Sequence, residues 1–146
     1  MKTKKYILTI SFLLSIMTDN LLANYAFKKK VKSVCSSYRI VVKSSQFSLK
    51  PDQFSINLES GRNNFEMFML VGFASAGQAI AHQKQMGLAN AYTPNNIMVS
   101  VAVPVAKGEF NTFMASCDSE VAISLANGTL DSSEFMQQIM KEMEIL

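Results

Sequence analysis

Cys35, Cys117 and His82 are the side chains of this chain with the widest chemical range, and they are the two cysteines and the single histidine it has. A redox-active pair sits in Cys-x-x-Cys, which this spacing is not. Zinc needs four ligands, more than two cysteines and one histidine supply, so no metal and no cofactor is expected. What remains for an even cysteine count is a structural disulfide, and Cys35–Cys117 is the expected bond, closing a long loop that would stabilise the fold by roughly 4–5 kcal/mol. His82 is followed by Gln83, Lys84 and Gln85, the polar end of a helical stretch, where a cation is favoured by the helix dipole. A capping or surface imidazole is therefore expected there, and no residue is assigned a catalytic role.

Other chemistry-bearing patterns dissolve on inspection. Gly72-Phe73-Ala74-Ser75-Ala76-Gly77-Gln78-Ala79 has the glycine spacing of a phosphate-binding loop, but Gln78 and Ala79 stand where a lysine and a hydroxyl are needed. Ser75 also lacks the Gly-x-Ser-x-Gly frame of a nucleophile elbow, and the small residues suit close helix packing instead. Asp118 with Glu120, and Asp131 with Glu134, are explained by helix N-termini, which favour negative charge. Asn127-Gly128-Thr129 fits a glycosylation acceptor, yet Asn-Gly after a helix already has a conformational reason.

The elements that must position these residues begin with an export signal. Lys2, Lys4 and Lys5 precede the apolar run Ile7 to Met17, then come polar residues and Leu21-Leu22-Ala23. That order predicts a signal peptide over 1–23, cleaved after Ala23, with Ala26 as the fallback. The apolar run falls well short of the roughly twenty residues a membrane-spanning helix needs, so no permanent span is expected after cleavage. Position 24 is Asn, which offers no thiol for a lipid. An exported protein, periplasmic or extracellular, follows from this reading.

The remainder is long enough for one domain. Basic residues crowd its first half: residues 24–62 hold eight basic and two acidic side chains, whereas 63–146 hold three and eight. The net charge is too small to suggest nucleic acid, and the simplest use of the asymmetry is attraction between the halves. Lys28, Lys29, Lys30 and Lys32 follow the cleavage point, so 24–37 is expected as a solvated basic arm and 38–146 as a single α+β domain.

Within 38–146, Tyr38 to Lys43 alternates like a strand, and Phe47, Leu49, Phe54, Ile56 and Leu58 continue the pattern around a turn at Lys50-Pro51-Asp52-Gln53. Phe65 to Met86 is Ala- and Met-rich and reads as a long helix stopped by Gly87. Ile97, Val99, Val101 and Val103 alternate cleanly, and Lys107-Gly108 can turn the chain into an antiparallel hairpin ending near Cys117. A short helix to Ala126 and a last one capped by Asp131, with Glu134 three residues on, complete the chain. The expected fold is an antiparallel sheet of about four to five strands, with the long helix and two shorter C-terminal helices on one face.

The function this supports is non-enzymatic binding of another envelope or secreted component. Two alternatives stay open at this level: a small hydrolase built around His82 from distant residues, and a binder of a small apolar ligand in a cavity lined by Phe68, Phe73 and Phe113.

Overall fold

The computed structural model describes residues 21–87 and 90–146. The expected signal segment therefore lies outside the described residues except for Leu21, Leu22 and Ala23. Residues 21–37 form a helix, α1, where a solvated arm was expected. Ala23, Phe27, Val31, Val34 and Cys35 recur at helical spacing and are buried, so one face of α1 belongs to the core while Lys29 points to solvent. The lysines misled because they flank that stripe rather than replace it.

α1 ends in a Schellman motif: Ile40 N–H donates to the Cys35 carbonyl (3.0 Å) and Arg39 N–H to that of Ser36 (2.9 Å). Arg39 takes the left-handed position, φ 62°, normally filled by glycine. The next residues alternate as expected, with Ile40 and Val42 buried and Val41 85% exposed, but they pair with no strand. A 3-10 turn, Ser44–Gln46, leads into β1 (Phe47–Leu49), and the turn at Pro51 brings back β2 (Gln53–Glu59) antiparallel to it.

The long helix α2 (Phe65–Met86) then crosses the sheet and is stopped by Gly87 in the left-handed conformation, φ 62°. β3 (Asn96–Ala106) follows, and β4 (Glu109–Asp118) returns antiparallel beside it. After β4 come α3 (Ser119–Ala126), α4 (Ser132–Met140) and a two-residue edge strand β5 (Glu144–Ile145). Asp131 caps α4 by accepting from Ser133 N–H at 3.0 Å.

The sheet is five-stranded in the order β1-β2-β3-β4-β5. The α+β class holds, and so do the hairpin and the helices on one face. One feature of the sheet differs from expectation: β2 and β3 run parallel. A strand, a helix lying back across the sheet and a second strand reverse direction twice, so the two strands around α2 must be parallel when they are neighbours.

Phe54, Ile56, Leu58, Ile97, Val99 and Val101 cover the inner face of the sheet. α2 lies against them through small residues. A Cβ added to Gly72 would come 2.8 Å from Val99 Cγ1, and one added to Gly77 would come 2.2 Å from the Ala122 carbonyl oxygen of α3. Phe73 meets Phe135 of α4 edge-on at 5.1 Å between ring centroids. Among the described residues no helix is long and apolar enough to cross a membrane.

Candidate functional site

Cys35 and Cys117, expected to be bonded to each other, are both free in the structure. Cys35 is fully buried on the inner face of α1, with the Ser75 hydroxyl of α2 beside its sulfur. Cys117 lies on β4 opposite Ile97, next to the backbone of Ala122 in α3. On α2, Ser75 faces α1 and Gly77 faces α3, and two residues of helix rotate by about 200°. α2 therefore stands between the thiols. Burial pushes the Cys35 thiol up against the lowering effect of Ser75, and burial with the neighbouring Asp118 carboxylate pushes Cys117 up to about 12. Neither is a reactive thiolate near neutrality.

His82 lines a small cavity of about 230 Å³ with Lys30, Gln78, Gln85 and Asn127, but with no carboxylate or hydroxyl. An acid–base relay through the imidazole has no second member there. The three phenylalanines expected around an apolar cavity do not share one: Phe73 packs on Phe135, Phe113 on Phe65 at 4.7 Å, and Phe68 opens onto a surface groove. At Gly72 α2 lies close against Val99 of the sheet, which leaves little space between them there. No cluster of three His, Cys, Asp or Glu suited to a metal occurs among the described residues.

A broad surface concavity lies elsewhere, away from the cysteines and His82. It is a groove of about 940 Å³ between the stretch 39–46 and β2, floored by the uncovered face of the sheet. Arg39, Val41 and Lys43 form one wall, Asn57 and Glu59 the other, and Ser100 and Thr112 lie on the floor. Its origin is a sheet edge that stops early. Pairing of β1 with β2 ends at Phe47↔Ile56, beyond which the Gln46 side-chain amide donates to the Asn57 carbonyl at 2.8 Å. Even-numbered residues of β2 turn their backbone groups to β3, as Ser60 N–H does to the Ala102 carbonyl (2.9 Å). Glu59 turns its N–H and C=O the other way, into the groove, where no strand meets them.

On the opposite wall Lys43 N–H is held by the Gln46 side chain at 2.9 Å, so Gln46 braces both sides. The Ser100 hydroxyl donates to the Asn57 side-chain oxygen and fixes the floor. Among the described residues the ion pair is Lys84–Glu120 at 2.7 Å, within the second half of the chain. Among the described residues no ion pair joins the two halves, and Arg39 and Lys43 stand at the rim without one. No protein-family model matches the chain, and neither a curated protein nor a solved structure matches it.

In sequence, the signal for this groove lies in Arg39 and Val41. An arginine stands where the end of a helix favours glycine, and a β-branched apolar residue points outward from a stretch that lacks a partner strand.

Proposed function

We propose that the protein is exported, to the periplasm or the medium, and acts without catalysis by binding another envelope or secreted protein in the groove between residues 39–46 and β2. The observation that carries this reading is the coincidence of strain and concavity at Arg39. A left-handed non-glycine residue costs roughly 1–3 kcal/mol, and such strain clusters at ligand contacts. Here it aims a cationic side chain at the rim of a groove of about 940 Å³. Val41 beside it supplies an exposed apolar contact, and Glu59 offers an unmatched backbone donor and acceptor, the means by which an incoming segment pairs with a sheet edge.

The test is co-purification of the tagged full chain from its native host, compared with Arg39→Glu and Val41→Asp. Both side chains are exposed, so both variants are expected to fold and to lose the bound component. A component retained equally by both variants contradicts the proposal.

A further inference from the structure

Three sides of α2 are covered: by the sheet at Gly72, by α1 at Ser75 and by α3 at Gly77. The fourth side carries Met67, Leu70, Ala74, Gln78, Ala81 and Gln85, one stripe at helical spacing, and looks outward between α1 and α3. Alanines in its middle sink the floor. Two cavities lie along it, one of about 250 Å³ and the other, the cavity at His82, of about 230 Å³; Gln78 and Ala126 line both, so they are successive lengths of one furrow.

The furrow is graded in polarity. The larger cavity is walled by Val34 of α1, Tyr38 in the turn after it and Leu125 of α3, over Leu70 and Ala74, with no charged side chain. The other is rich in amides and holds a single charge, Lys30. Lys30 has no acidic partner, and the buried Nδ1 of His82 alongside has no hydrogen-bond partner among the described residues. A helix about 10 Å across would fit less than one turn into either volume, so the space suits an extended chain of methylenes.

We propose that this furrow binds a single-chain anionic amphiphile of the long-chain carboxylate class, its tail over Leu70 and Ala74 and its head at Lys30. Apolar walls at one end and one uncompensated cation at the other match such a molecule in both respects. Each methylene added along the apolar length is expected to tighten binding about two- to fourfold.

Calorimetric titration of the full chain with dodecanoate and with dodecyltrimethylammonium, both below micelle formation, compares two heads on one tail. Dodecanoate is expected to bind one to one, and the ammonium at least tenfold more weakly. Lys30→Glu is expected to weaken dodecanoate at least tenfold, and Ala74→Phe to abolish binding by filling the floor. Gln78→Trp, at an exposed position, serves the same purpose if Ala74→Phe does not fold. Equal binding of the two probes, several equivalents per chain, or titration unchanged by the floor variant overturns the proposal. So does a dimer that the floor variant disperses, which would assign the furrow to a second copy.

Discussion

The buried side-chain amide of Gln83 donates to the carbonyl of Ala23 at 3.0 Å, and its oxygen accepts from the N–H of Tyr92 at 3.3 Å. One fully buried side chain of α2 thus fastens the start of α1 and the loop before β3. Gln83→Leu keeps the apolar bulk, leaves the Tyr92 N–H without its partner and removes the second bond to the Ala23 carbonyl, which keeps its place in the α1 ladder. A loss of roughly 1–3 kcal/mol is expected, measured by denaturant unfolding.

The same contact bears on export. Cleavage after Ala23 yields a chain beginning at Asn24 and removes the acceptor that Gln83 uses. N-terminal sequencing of protein from the exported fraction is expected to start at Asn24. That form is expected to be less stable than the full chain and less sensitive to Gln83→Leu. An exported form that still carries Met1 contradicts the cleavage reading.

The two helical glycines should respond unequally to alanine. At Gly77 the new Cβ would meet backbone, the Ala122 carbonyl, so α3 must move; at Gly72 it meets the methyl groups of Val99, which can yield a little. Gly77→Ala is expected to cost about 2 kcal/mol or more, and Gly72→Ala less. Equal losses in thermal unfolding would contradict the close α2–α3 packing.

The free thiols, Cys35 buried and Cys117 half-buried, set an alkaline limit on stability. In the folded chain Cys117 titrates near 12, against 9.0 for the ordinary thiol. Between those values the native state keeps a proton that the unfolded chain has released. Stability from this group is therefore fully present below about pH 9 and falls as pH rises toward 12. Cys117→Ala is expected to flatten that fall. Non-reducing electrophoresis is expected to show a monomer, with Cys35 labelled only after unfolding.

Sequence patterns carried the fold where periodicity was strong and local. The alternation from Ile97 to Val103 became β3, Gly87 stopped α2, and Asp131 capped α4. They failed where a tertiary contact decides. Ala23, Phe27, Val31 and Cys35 formed a helical stripe, but four lysines and a nearby cleavage pattern pointed to a solvated arm. Tyr38 to Lys43 had the side-chain alternation of a strand without a strand to pair with, since β1 already occupies the edge of β2 as far as Ile56. Cysteine parity argued for a bond, whereas the structure holds both thiols free on different sides of α2. The groove is a product of that unpaired stretch, which is why composition and motifs did not disclose it.

Arg39 joins stability to binding. Arg39→Gly relieves the left-handed backbone at the end of α1 and is expected to stabilise the fold by roughly 1 kcal/mol, while weakening partner binding by removing the cation. A variant that gains stability and keeps full binding would separate the strain from function.

The groove itself is tested most directly by a photo-crosslinking residue placed at Val41 in the full chain, with a second placed at Lys107 in the β3–β4 turn as the control, and irradiation in the native host. Both positions are exposed, but only Val41 lines the groove. The expected result is a discrete protein adduct at Val41 that Arg39→Glu abolishes, with none at Lys107. The same adducts at both positions, or an adduct at Val41 that survives Arg39→Glu, would contradict the groove as the binding site.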